Sequence, residues 1–196
     1  MKIGILGGTF DPPHVGHLSV ARAALEQLEL DEVLFLPANR NPLKTHKTST
    51  PGRQRLGMVE ALIRHEENMA VSDMELTRQG MSYTVDTLSE IQMVSPAEYW
   101  FIMGADSLRG FAEWKHPQRI LKMARLAVAV RPPIGEADVL SRLPEEYRDR
   151  VDLIKMAPID ISSTDLRERL TRHLNVSAWI PQDVLKYIAT NQLYRN

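Results

Sequence analysis

The chain has 196 residues, no cysteine and a formal charge of −1. The lack of cysteine excludes disulfides, a thiolate nucleophile and every cysteine-ligated zinc or iron–sulfur centre, and near-neutrality argues against a strongly basic nucleic-acid binder, though not against a local basic patch. With 43% hydrophobic and 25% charged residues the composition is that of a globular chain, and area scaling lets this length bury about 70% of its unfolded surface, enough for a core without staples.

In chain order, Lys2 to Leu6 reads as a strand and is followed by a helix with Leu18, Ala21, Leu25 and Leu28 on one face. Val33 to Leu36 is a second strand. The polar stretch from Pro37 to Gly52 is a loop, long enough after a strand to suggest function. A helix with Leu56, Val59, Leu62 and Ile63 in register precedes a strand at Met69 to Asp73. A further helix carries Val85, Leu88 and Ile91, followed by a strand from Tyr99 to Met103. A helix at Pro117 to Met123 leads to strands at Leu126 to Val130 and Val151 to Met156. Helices at Asp165 to Leu174 and Asp183 to Gln192 complete the chain. Several strands are apolar on successive residues, as strands covered on both faces are. The alternation predicts an α/β fold: a Rossmann-like, doubly wound, mostly parallel sheet with helices on both faces. No linker, repeat or low-complexity tract divides it, so one domain over residues 1–196 is expected. No apolar run approaches the ~18 residues of a membrane span. The opening Met1-Lys2-Ile3-Gly4-Ile5-Leu6-Gly7-Gly8 is too short and too soon interrupted for a signal peptide. A cytoplasmic protein with neither membrane nor nucleic acid as partner is the expectation.

Ligands of such sheets bind at the carboxyl ends of the strands, where the first strand runs into Gly7-Gly8-Thr9-Phe10-Asp11-Pro12-Pro13-His14-Val15-Gly16-His17. Glycines at a strand-to-helix turn admit an anion close to backbone N–H groups, and the helix start adds its own N–H groups and positive dipole end. Neither a Walker A loop nor the dinucleotide G-x-G-x-x-G is present. His14 and His17 share a helix face, and Gly16 between them leaves room for a ligand. Their imidazoles suit phosphate oxygens. The alternatives are two capping or exposed histidines, or a metal pair that lacks an evident third ligand. A second helix start, Ile161-Ser162-Ser163-Thr164-Asp165-Leu166-Arg167, has Arg167 on the face of Ser163. It reads equally as an ordinary cap with Asp165 and Glu168 as a capping pair.

The string from Gly7 to His17 resembles the HxGH nucleotidylyltransferase superfamily, and its spelling is similar to that of the bacterial nicotinate-nucleotide adenylyltransferases. The resemblance spans essentially the whole chain. It implies AMP transfer from ATP to nicotinate mononucleotide, giving deamido-NAD and pyrophosphate, with Mg²⁺ accompanying ATP and no metal ligand assigned in the protein. It implies ATP contacts from Gly7, Gly8, Thr9, Phe10, Gly16, His17, Gly104, Asp106, Arg131, Ile161, Ser162, Ser163 and Arg167. Thr9, His14, Lys44, Tyr83, Thr84 and Trp114 are implied to hold the nicotinate nucleotide, with Trp114 against the pyridine ring. His14, His17, Lys44 and Arg167 are the implied catalytic set. Asp106 is the implied ribose or metal-linked contact. Leu43 stands where the family commonly has histidine, and Arg55 matches a family arginine that reads equally as a solvated helix cation. Pantetheine-phosphate or nicotinamide-mononucleotide adenylyltransferases, and a non-catalytic nucleotide sensor on the same fold, are the competing readings. The sequence carries no signal for oligomeric state.

Overall fold

The structure is a computed structural model that describes residues 1–42, 50–78, 80–130, 135, 139, 141 and 144–195. Its strands are β1 (Lys2–Gly8), β2 (Glu32–Pro37), β3 (Met69–Val71), β4 (Glu98–Gly104), β5 (Arg125–Val130) and β6 (Val151–Lys155). They form one sheet in the order β3-β2-β1-β4-β5-β6, with every pairing parallel. The order reverses between β1 and β4, and the carboxyl ends of those two strands flank the crevice where such sheets bind ligands.

The helices among the described residues are α1 (Val15–Gln27), α2 (Gly52–Ile63), α3 (Met74–Thr77), α4 (Thr84–Val94), α5 (Ala105–Leu108), α6 (Pro117–Met123), α7 (Glu145–Arg148), α8 (Ser163–Thr171) and α9 (Gln182–Thr190). They divide between two cores because strand side chains alternate faces. Leu6, Phe35, Ile102, Ala127 and Ile154 point to one side, where α1, α2, α8 and α9 cover them. Ile5, Leu36, Phe101, Leu126 and Val128 point to the other, under α4 and α6. Burial on both faces explains the unbroken apolar run of β5. The six strands and six longer helices stand where the hydrophobic periodicity places them. α3, α5 and α7 are four residues each, shorter than any periodicity can register. No helix among the described residues is long and apolar enough to cross a membrane.

Two packing details stabilise the scaffold. A Cβ on Gly57 would stand 2.3 Å from the hydroxyl oxygen of Tyr187 and 2.5 Å from its Cζ, so glycine is what lets α9 close on α2. On the face of the sheet covered by α1, Asp152 accepts hydrogen bonds from Trp100 Nε1 (2.8 Å) and from Arg125 Nε and Nη2 (2.6 and 2.8 Å), tying β4, β5 and β6 together. Burial pushes the Asp152 carboxyl up, but the hydrogen bonds from Arg125 and Trp100 outweigh it and hold the group below the usual carboxylate range. A depressed folded-state pKa adds stability above the unfolded value of about 3.9 and loses it as pH falls through the folded value. Asp152→Asn is therefore expected to lower unfolding free energy by about 1 kcal/mol at neutral pH. In urea titrations across pH, the gap from wild type should be constant above about pH 5 and close below about pH 4. A gap that persisted in acid would remove the charge from this account.

Candidate active site

The site begins where β1 ends at the sheet's carboxyl edge. Phe10 takes φ +52°, a left-handed conformation rare for a bulky residue, with its ring buried 5.7 Å from Phe35 and 5.0 Å from His17. Such strain costs on the order of 1–3 kcal/mol and persists only where surroundings enforce it. The turn ends at His14, the N-cap of α1, in extended backbone conformation.

The cap is built from both histidines. His14 Nδ1 accepts the Gly16 N–H at 3.1 Å, and His17 Nδ1 accepts the His14 N–H at 3.2 Å. Each bond satisfies a backbone donor that a helix start leaves open. Each also fixes a tautomer: with Nδ1 accepting, the neutral ring carries its proton on Nε2. The rings lie 3.9 Å apart, with His14 buried and His17 half-buried. Capping and ligand binding are thus compatible, using opposite edges of the same imidazoles. The same bonds argue against a metal pair, since a protonated Nε2 offers no lone pair. Gly16 has a different reason from the one expected. A Cβ there would stand 2.9 Å from Cε1 and Nδ1 of His14, so glycine makes room for the histidine ring.

The start of α8 meets this turn. Ser163 Oγ donates to the Pro12 carbonyl at 2.9 Å, and Arg167 Nη1 donates to the Asp11 carbonyl at 2.6 Å. Ser163 and Arg167 therefore act together, as their shared face predicts, and bring two helix starts side by side. The cap itself is Ser162, whose Oγ accepts the Asp165 N–H at 3.1 Å, rather than the Asp165–Glu168 pair. Ser162 lies one turn earlier, where its extended backbone aims Oγ at that N–H. Ile161, just before it, is half-buried against the core under α1 and α2.

Beneath the turn lies a polar network that the motif reading did not assign. Arg55 is 1% exposed, so it is not a solvated cation. Its Nη1 donates to the Thr9 carbonyl and its Nε to the Thr50 carbonyl, both at 2.8 Å. Burial pulls its guanidinium below the usual value, and the nearby Asp11 carboxylate opposes that shift. Asp11 is 3% exposed and accepts the Tyr194 hydroxyl at 2.6 Å and the Thr50 N–H at 3.1 Å. Burial, then the charge of Asp11, pushes the Tyr194 phenol far above its ordinary range, leaving it a hydroxyl donor. Asp11 was visible within the motif, but a carboxylate turned inward leaves no spacing signal. Tyr194 carried no signal at all.

Across the switch point, Gly104 ends β4 and Asp106 follows it. Gly104 caps α5 by backbone alone, and a Cβ there would meet no atom within 4 Å. The Asp106 side chain is 74% exposed and lies 3.5 Å from Arg109, so it does not cap the helix. Tyr83 precedes Thr84 at the start of α4, with no side-chain cap. The segment is tied to the end of β2 by the Asn39 N–H, which donates to Ser82 Oγ at 2.9 Å. Trp114 is half-buried, edge-on to Phe101 at 5.8 Å and tilted against Phe111 at 5.4 Å. Its neighbour Lys115 sits 4.5 Å above the Tyr83 ring, drawing the two aromatic segments together. Two polar atoms near these elements are buried with no hydrogen-bond partner, the Thr9 hydroxyl and the Trp114 indole N–H. Such atoms cost roughly 1–3 kcal/mol each. Gly7, Gly8, Thr9, Phe10, His14, Gly16, His17, Ser162, Ser163 and Arg167 thus form one locus, and Tyr83, Thr84 and Trp114 a neighbouring aromatic wall. Lys44 and Arg131 lie outside the described residues.

Residues 5–169 match the cytidylyltransferase-like family model. The chain is 41% identical over 198 residues to a "Probable nicotinate-nucleotide adenylyltransferase" of Thermomicrobium roseum, covering 99% of this chain and 92% of the relative. It is 38% identical to a protein of the same name from Exiguobacterium sibiricum, covering 99% of each. Its fold is similar to that of Plasmodium falciparum nicotinic acid mononucleotide adenylyltransferase complexed with NaAD, with a TM-score of 0.81 and 20% identity over 98% of this chain and 97% of that one. With the family model matched over most of its length and relatives of 38–41% identity covered almost entirely, the chain belongs to the nicotinate-nucleotide adenylyltransferase family of cytidylyltransferase-like proteins.

Proposed function

We propose that the protein transfers the adenylyl group of ATP to nicotinate mononucleotide, forming deamido-NAD and pyrophosphate. The observation that carries this reading is the reciprocal histidine cap. It presents two Nε2–H donors at a helix start, beside a second helix start bearing Arg167. The donors suit phosphate oxygens, and the names of the full-length relatives point to the acid form of the nucleotide. The aromatic wall of Tyr83 and Trp114, with its unpartnered indole N–H, offers a flat apolar surface to a pyridine ring.

The chemistry is a direct displacement. A phosphate oxygen of the mononucleotide attacks the α-phosphorus of ATP, a new P–O bond forms, and the bond to the bridging oxygen breaks to release pyrophosphate. A phosphate monoester is largely ionised at pH 7, with a second pKa of about 6, so no general base is needed. Catalysis then consists of aligning two anions and stabilising the charge that develops between them. His17 donates to the α-phosphate and His14 holds the phosphate region beside it. Arg167 offsets charge from the α8 side, and Lys44 is the further cation that the family resemblance implies. Gly7, Gly8 and Thr9 line the turn under the phosphates. Mg²⁺ accompanying ATP would supply charge neutralisation to the triphosphate. The donor set fits this arrangement, since imidazole N–H and guanidinium groups bind the phosphate and not the cation. Asp106 is the exposed carboxylate that would reach the ribose or a metal-bound water.

Pyrophosphate release measured with ATP, Mg²⁺ and, separately, nicotinate mononucleotide, nicotinamide mononucleotide and phosphopantetheine tests the reading. Release with the nicotinate form above the others is expected, and no release with any acceptor would replace the enzyme by a nucleotide sensor. His17→Ala should lower kcat by about 10²–10³-fold, the usual cost of one charge-stabilising donor, with a much smaller change in KM for ATP. Gly16→Ala separates site geometry from folding. Its Cβ displaces the His14 ring, so kcat should fall at least tenfold while unfolding free energy moves by no more than about 1 kcal/mol. A fully active Gly16→Ala protein would show that the ring position does not matter.

A further inference from the structure

The proposed reaction leaves the inward-turned hydroxyl of Tyr194 unused. Tyr194 stands two residues before the last residue of the sequence. Its hydroxyl donates to Oδ1 of Asp11 at 2.6 Å and lies 3.6 Å from the Met58 sulfur. Asp11 is held from two further directions: Thr50 N–H donates to Oδ2 at 3.1 Å, and Arg167 Nη1 to the main-chain carbonyl at 2.6 Å. Three segments far apart in sequence therefore grip one residue. That residue lies three positions before His14, inside the turn whose path decides where both imidazoles point.

Apolar docking of the chain end does not require this contact. Leu193 packs against the core under α1 and α2, and its N–H donates to the Ile188 carbonyl at 3.0 Å. Gln192 and Tyr194 both adopt left-handed backbone, with φ of +53° and +58°, which side-chain-bearing residues rarely do. The last turn is thus held against its local preference, and the result is a phenol delivered to a buried carboxylate. A hydroxyl bonded to an ionised oxygen is short and strong, so it constrains where Asp11 sits.

We propose that Tyr194 is a positioning residue of the active site: through its hydrogen bond to Asp11 it holds the Thr9–His14 turn so that His14 and His17 meet the phosphates in productive geometry. The inference rests on the adenylyl-transfer reading for its kinetic consequence. Removing the hydroxyl leaves a buried carboxylate oxygen short of its donor. Asp11 then rotates or draws in water, and the turn shifts with it. A small displacement of the imidazoles harms alignment in the transition state more than binding of the ground state.

Tyr194→Phe keeps the ring in its apolar seat and removes only the hydroxyl. Per folded molecule, kcat is expected to fall about tenfold, with KM for ATP changing less than about threefold. Because Tyr194 acts through Asp11, Tyr194→Phe should have little further effect in an Asp11→Asn background, so the two changes are non-additive. The ring ¹⁵N resonances of His14 and His17, which report tautomer balance, should move in Tyr194→Phe without any substrate present. Unchanged kcat per folded molecule, even with a lower Tm, would reduce Tyr194 to a clamp on the chain end and overturn the proposal. Effects of the two substitutions that simply multiply would overturn it as well. If the wild-type protein releases no pyrophosphate with any acceptor, the reaction assigned here fails, while the histidine resonances still decide whether Tyr194 positions the turn.

Discussion

The structure depends on how one short turn is held between β1 and α1. That turn must leave a strand buried on both faces, pass through a left-handed phenylalanine, and deliver His14 to the start of a helix. None of this is favourable locally, so distant elements enforce it. Arg55 reaches the Thr9 carbonyl from α2, Arg167 and Ser163 reach the Asp11 and Pro12 carbonyls from α8, and Val15 N–H donates to the Trp179 carbonyl at 2.8 Å. The buried charge of Asp11 is compensated by hydrogen bonds and by the nearby Arg55, as buried charges must be.

Once the turn is held, the rest of the site follows from geometry. Each histidine spends its Nδ1 on the backbone of the helix start, which leaves the proton of the neutral ring on Nε2. One pair of side chains thereby both completes the helix start and sets the tautomer of each ring. Strand order does the remainder. The reversal between β1 and β4 opens the crevice, and α8 arrives over it because β6 lies at the sheet edge on the far side of β5. Near-neutral overall charge is compatible with anionic substrates, since the positive ends of two helices and Arg167 gather at one place.

Much of this was legible beforehand. The short apolar runs place all six strands, most plainly the central ones such as β4 and β5, where burial on both faces leaves successive apolar residues. The histidine and serine–arginine strings mark the site because short-range spacing carries their chemistry. What spacing could not convey was the direction of side chains. Ser163 and Arg167 read as phosphate contacts, yet in the structure they also grip backbone carbonyls of the other motif. Arg55 matched a family arginine but read at least as well as a solvated helix cation, and it is among the most buried side chains of the described residues. Four-residue helices such as α3, α5 and α7 escape notice because one turn shows no period.

The sequence by itself determined the class of fold, the positions of the longer elements, the family resemblance and the residue types available for catalysis, with cysteine absent from that set. These are consequences of local pattern: periodicity, caps and short motifs. The structure decided which nitrogen of each histidine meets the helix backbone, why Gly16 must be glycine, and that Asp11, Arg55 and Tyr194 form a buried support for the turn. The last of these depends on contacts between residues far apart in sequence, 46 positions for Arg55 with Thr9 and 183 for Tyr194 with Asp11, and such contacts exist only after the sheet has brought the segments together.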